Sequence, residues 1–167
     1  MARSVPDIND FASLFHGSIR AQLNWPALMQ MQAAVSQEVA ADWRHLCDLR
    51  TVWHVDSEGR AVDWWSAGAQ PLTIHEAGEL QDRWPPERAA RVRSLRHGLR
   101  GMVEPQVLIV PAYRVRDRLL LLDATHRIMA GYLERADLRV LFMTIEAPPM
   151  PELLPDLGVV EGSNDNF

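Results

Sequence analysis

The sequence contains no lysine: all 17 of its basic residues are arginine. That absence excludes Schiff-base chemistry, a pyridoxal phosphate (PLP) linkage and the phosphate-loop lysine of the G-x-x-x-x-G-K kind. Arginine remains, and it is the better residue for two-pronged capture of planar or tetrahedral oxyanions. Cysteine is nearly absent as well. The single Cys47 excludes an internal disulfide framework and a multi-cysteine zinc site, and no Fe-S cluster is expected. His45, His54 and His75 have no ligand spacing with one another, so zinc is not expected from the histidines either. No apolar run approaches the roughly 18 to 20 residues that span a bilayer, and no membrane partner is expected. The first residues, MARSVPDINDF, lack the apolar core of a secretory signal. A soluble, cytoplasmic protein of a reducing compartment follows as the expectation. A positive surplus is also missing: 22 acidic against 17 basic residues give a formal charge of -5, which argues against nucleic acid as the partner.

What is present suits one folded unit with a small appendage: 167 residues, 47% of them hydrophobic. Residues 8–16 read as a short amphipathic helix with Asp7 as cap. Pro26 opens a long helical stretch to about residue 50, with Leu28, Met31, Val35, Val39, Trp43 and Leu46 forming an apolar stripe at three-and-four spacing. TVWHV and RAVDWW are β-like runs separated by Asp56-Ser57-Glu58-Gly59, which predicts a hairpin. PLTI reads as a strand, 75–83 and 87–99 as helices broken by Trp84-Pro85-Pro86. QVLIVPAYRV and LLLLD read as strands around the turn Arg116-Asp117-Arg118, ATHRIMAGYLER as a helix, and RVLFMTIEA as a closing strand. The expected class is α/β (α+β): an N-terminal helical and hairpin subdomain over residues 1–70, a mixed sheet with helices over 71–147, and a proline-rich, loosely held arm over 148–167 that ends in disorder.

The informative stretch is LLLLDATHRIMAGYL. A buried strand runs into a helix with almost no loop, which puts Asp123, Ala124, Thr125, His126 and Arg127 at the helix start. A helix start exposes unpaired N–H groups and the positive end of the helix dipole, and side-chain donors from Thr125, His126 and Arg127 would join them. This is the chemistry of an oxyanion site.

A hairpin, a strand, D-G-x-H-R and a helix also form the core of the ParB/sulfiredoxin superfamily, which VLIVPAYRVRDRLLLLDATHRIMAGYL followed by RVLFMTI resembles over residues 71–147. The resemblance implies a ParB/sulfiredoxin-like fold. It also implies phosphate binding, as in the nucleotide-dependent enzymes and CTP-binding partition proteins of that superfamily, at Asp123, Thr125, His126 and Arg127. Two positions depart from it. Ala124 replaces the usual glycine and crowds a phosphate slightly. Thr125 stands where sulfiredoxins carry cysteine, which excludes sulfinic acid reduction by that route. ATP and Mg2+ are the cofactors implied, with Asp123 as the residue that could contact Mg2+.

Each of these residues has a plainer reading. Asp123 can be a helix cap, since Asp is a leading capping residue. His126 can be a satisfied structural histidine. Arg127 can pair with Glu134 or an N-terminal carboxylate. Asp63, beside Trp64 and Trp65, reads either as a general base of raised pKa or as the solvent-facing residue of an edge strand. Trp53, Trp64 and Trp65 read as core or interface residues before they read as a base-stacking platform. Cys47 reads as a small buried hydrophobe. Arg88, Arg91, Arg93, Arg96 and Arg100 read as a solvated helix face that could also add charge to the oxyanion pocket or bind an acidic partner.

The function these residues predict is a small-molecule enzyme of a biosynthetic pathway acting on a phosphate- or sulfate-bearing substrate or nucleotide. It would be either a transferase of the ATP-dependent kinase type or an enzyme displacing a phosphate or sulfate leaving group. Ala124, Thr125, His126 and Arg127 would bind the oxyanion; Asp123, His126 or Asp63 would act in catalysis. The alternative is a non-catalytic partner or regulatory protein, or a homo-oligomer, that keeps the fold as a binding module. A CTP-switched DNA partition factor is a third reading, against which the negative charge counts.

Overall fold

Asp7 accepts the amides of Asn9 and Asp10 while the Asp10 carboxylate takes the Asp7 amide, a reciprocal cap that starts α1 (Ile8–Phe15). The computed structural model describes residues 6–155. α2 (Trp25–Gln30) follows, capped by the Asn24 side chain and opened by proline in its first turn.

The long helix expected over 26–50 is not formed. α2 ends at Gln30 with Met31 as its C-cap, and Gln32 turns the chain with φ of 50°. Residues Ala34–Ala40 then form strand β1, a 3-10 turn covers Trp43–Leu46, and Arg50–Val55 form strand β2. The stripe misled because Val35 and Val39 lie four apart, a spacing that fits one face of a helix and one face of a strand equally. Partners decide the matter. β1 pairs antiparallel with the last strand; Ser36 donates to Glu146 at 2.6 Å and Arg114 donates to Glu38 at 3.1 Å.

The other elements follow the sequence pattern, except that the RAVDWW strand stops at Val62, Ile74 opens a helix instead of ending a strand, and the helix expected over 75–83 stops at Glu79 with a 3-10 turn at Gln81–Arg83. β2 turns into β3 (Ala61–Val62) through Asp56, whose carboxylate takes the amides of Glu58 and Arg60 while Gly59 adopts φ of 76°. Then come β4 (Gln70–Thr73), α3 (Ile74–Glu79) and α4 (Pro86–Arg100), followed by the antiparallel pair β5 (Gln106–Val115) and β6 (Arg118–Leu121). Helix α5 (Thr125–Glu134) and strand β7 (Leu138–Glu146) complete the order.

All seven strands belong to one mixed sheet in the order β1-β7-β5-β6-β2-β3, with β4 also on β2. β5–β7 and β2–β6 are the parallel pairs. The boundary expected after residue 70 does not divide this sheet, because β1, β2 and β3 come from the first 70 residues. One buried cluster joins β5, β7 and β2 to α3, α4 and α5 through Val110, Phe142, Trp53, Ile74, Val92 and Ile128. A second joins α1 and α2 to the sheet through Phe11, Leu28, Tyr113 and Ile145. Each large apolar side chain so buried contributes about 1.5–3 kcal/mol.

Residues 148–155 are not a loose arm. Leu153 and Leu154 are buried in the second cluster, and Tyr113 donates to the Pro148 carbonyl at 2.8 Å. The disordered end expected for the tail lies, from residue 156, outside the described residues, as do residues 1–5. Among the described residues no helix is long and apolar enough to cross a membrane.

α5 carries one glycine that the packing requires. A Cβ on Gly131 would come within 1.9 Å of the Leu138 Cδ1. The bare backbone there lets α5 settle against the start of β7, and so fixes where the beginning of the helix stands over the sheet.

Candidate oxyanion site at the start of helix α5

β6 ends at Leu121, and after only three intervening residues the chain is helical. The reversal is made by Ala124, the N-cap of α5, in the left-handed conformation (φ 66°, ψ 8°). Alanine there carries a strain of about 1–2 kcal/mol that glycine would not. No side chain caps α5, so the first helical N–H groups have no side-chain acceptor at the positive end of the dipole. Asp123 is therefore not the cap. It lies one residue earlier and faces Arg127 across one turn, 3.7 Å away, both groups partly exposed. This also corrects the pairing of Arg127 with Glu134. The Glu134 carboxylate is held instead by one bond from Arg96 and two from Arg100, the latter at 2.8 Å, and these three bonds clamp α4 to α5 and hold Glu134 down at a pKa of about 2.

The motif residues thus separate. Thr125 is buried at 5% exposure and Ala124 at 6%. Arg127 is turned to solvent with Asp123. His126 alone of the motif lines an open cavity of about 450 Å3, together with Trp53, Pro85, Glu87, Arg88 and Arg91. The His126 ring stands edge-on to Trp53, and Arg88 lies over the same indole at 4.2 Å. Arg88 and Arg91 sit three apart on α4, so they project from one face. Neither makes an ion pair with a carboxylate among the described residues, whereas Arg96 and Arg100 on the same helix do.

The charges leave a clear electrostatic mark. Burial first, then Arg91 and Arg88, with a further push from Arg20, lower the His126 pKa to about 4; Asp123 opposes this only in part. The imidazole is neutral at pH 7, in a cavity whose free charges are cationic except for Glu87 at its edge. Burial likewise draws the Arg88 guanidinium below its ordinary value. The arginines needed for this site are visible in the sequence only as an i, i+3 pair in a run of five. What separates Arg88 and Arg91 from Arg96 and Arg100 is Glu134, a partner from a different helix, and what separates them from Arg93 is their place in the cavity lining.

Asp63 is exposed on the turn after β3, where its carbonyl accepts the Ser66 amide, and it does not line the cavity. Trp64 and Trp65 pack edge-on to each other at 5.5 Å, away from the cavity lining. Cys47 ends the 3-10 turn, half-buried, and burial pushes its thiol up, with Asp48 adding to the rise. Among the described residues no group of three His, Cys, Asp or Glu could hold a metal ion. No family model, no curated protein and no solved structure matches the chain.

Proposed function

We propose that the protein binds a phosphate- or sulfate-bearing small molecule, a nucleotide among them, in the cavity between α4 and the start of α5. One arrangement carries the reading: Arg88 and Arg91, with no carboxylate partner among the described residues, meet His126 around open space. Like charges converging in a half-buried pocket repel, and an anionic ligand turns that repulsion into attraction. The volume of about 450 Å3 is that of an ordinary small-molecule site. The ParB/sulfiredoxin-like fold belongs to the same proposal, supported by the run of β5–β6 hairpin, Asp-x-x-His-Arg, α5 and β7.

In the enzymatic form of this reading, Arg88 and Arg91 hold the transferred or departing oxyanion and oppose the negative charge that develops on it. The neutral His126 imidazole moves the proton. A transferase of the kinase type and a displacement of phosphate or sulfate both use that pair of functions. The binding-module reading has its own observation. Val39, Leu141 and Ile109 form a row across β1, β7 and β5, and Val39 and Ile109 are 68% and 52% exposed there, on a face a protein partner would cover.

Titration with sulfate and with pyrophosphate, followed by tryptophan fluorescence and calorimetry, tests the site. Saturable binding is expected, weakened at least tenfold in Arg91→Ala, since a charge-assisted contact contributes about 1.5–3 kcal/mol. Absence of binding to the folded wild-type protein rejects the oxyanion reading and leaves the binding module.

A further inference from the structure

Charge crowds His126 from three sides. From α4 come Arg88 and Arg91, with Glu87 at the cavity edge; from the loop after α1 comes Arg20; from its own element come Asp123 and, paired with it, Arg127. From β2 the ring meets the Trp53 indole, at 5.1 Å between centroids. Three of these cations have no ion-pair partner among the described residues. The ring is also partly withdrawn from water. A positive charge on the imidazole is therefore opposed by its surroundings for as long as the cavity is empty.

We propose that an oxyanion bound in this cavity draws a proton onto His126, so that the ligand itself switches the imidazole between its neutral and protonated forms. The inference rests on the oxyanion reading above and adds the control of that site. An anion placed among Arg88, Arg91 and His126 offsets the guanidinium charges and sets an opposite charge beside the ring. Such a neighbour within ~4–6 Å raises the pKa of a cationic acid by about 1–3. From a starting value of about 4, the imidazole of the complex would titrate at about 5–7, and towards the upper end of that range it exchanges protons with a substrate near neutral pH. In the empty protein it would stay neutral and idle. The proton comes from solvent, and no bond in the ligand changes.

The linkage has a definite sign. His126 binds its proton more tightly in the complex than in the free protein, so affinity rises as pH falls through the complexed value and levels off below the free one. The gain is lost above the complexed value, where affinity settles at that of the neutral ring. Sulfate is the probe of choice, because it carries no titrating proton of its own across this range. Calorimetric titration of the wild-type protein with sodium sulfate at pH 5 and pH 8, in two buffers of different ionisation enthalpy, reads the protons taken up per anion. Uptake of a fraction of a proton at pH 5, shrinking towards zero at pH 8, is the expected result. If the ring holds its proton about tenfold more tightly in the complex, sulfate binds the protonated protein about tenfold more tightly than the neutral one. In His126→Gln, uptake vanishes and the residual affinity is flat with pH. Binding with no dependence on buffer ionisation at either pH overturns the proton switch while leaving the oxyanion site intact. No binding at any pH overturns both. The wild-type measurement stands even where the variant fails to fold.

Discussion

His126 stands edge-on to Trp53, with ring centroids 5.1 Å apart and planes inclined by 68°. The same indole meets Trp84 edge-on at 5.6 Å and carries Arg88 over its ring at 4.2 Å. One buried residue of β2 thus orients a side chain of α5 and a side chain of α4, and the cavity lies between them.

Arg88 consequently has two duties and Arg91 one. Arg88→Ala removes a cation–π contact of about 0.5–2 kcal/mol as well as an anion contact. It is expected to lower both the melting temperature and the sulfate affinity. Arg91→Ala is expected to lower affinity alone, as its exposed side chain packs on nothing comparable. Thermal melts beside sulfate titrations separate the two; equal melting temperatures in both variants contradict the stacked role of Arg88.

Asp123 faces the cationic end of α5 without capping it. Its pair with Arg127 is a partly exposed i, i+4 contact, which contributes about 0.3–0.5 kcal/mol. Asp123→Asn should therefore change stability little. It should tighten sulfate binding several-fold, because a negative charge near the anion is removed and Arg127 is released. A fall in sulfate affinity in this variant would show that the carboxylate helps hold the ligand, as a contact through Mg2+ would require.

The depressed titration of His126 predicts how stability depends on pH. The unfolded chain takes up a proton near the ordinary value of 6.5, the folded one only near 4. Stability is present above pH 6.5 and is lost as pH falls from 6.5 to 4, by on the order of 1–3 kcal/mol. Glu134, held at about 2 against an ordinary 4.5, adds its own loss only below pH 4.5. Urea unfolding at pH 7 and pH 5 of wild type and His126→Gln isolates the histidine. The variant should lose less stability between these two values; identical losses contradict a depressed His126.

Much of the fold is legible in the residues because its signals are local. Asp7 with Asp10 announces α1, Asp56 with Gly59 announces the β2–β3 turn, and Pro86 after Pro85 opens α4. The misread stretch is the one whose structure depends on distant partners. Val35 and Val39 suit a helix or a strand, and pairing with β7 more than 100 residues away chooses the strand. The candidate site divides in the same way. His126 is visible in its motif. That Arg96 and Arg100 are taken is settled by Glu134, 34 residues beyond Arg100 and on another helix, and that Arg88 and Arg91 rather than Arg93 face the cavity is settled by how α4 packs. Whether Asp123 or Ala124 caps α5 is settled by a backbone angle that residue type alone opposes.

Gly131→Ala tests the seating of α5. Helix propensity favours alanine by about 0.8–1 kcal/mol, but the added Cβ would meet the buried Leu138 at 1.9 Å. Overpacking of this kind costs about 1–3 kcal/mol, and a lower melting temperature is expected. A rise would mean that α5 can shift outward freely.

The central claim is that an oxyanion sits among Arg88, Arg91 and His126, and a crystal structure of the protein grown with pyrophosphate tests it most directly. The account predicts density for the anion in the cavity beside Trp53, with its oxygens within hydrogen-bonding reach of Arg91 and of the His126 ring. An anion bound elsewhere, with this cavity holding only water at saturating ligand, would contradict it.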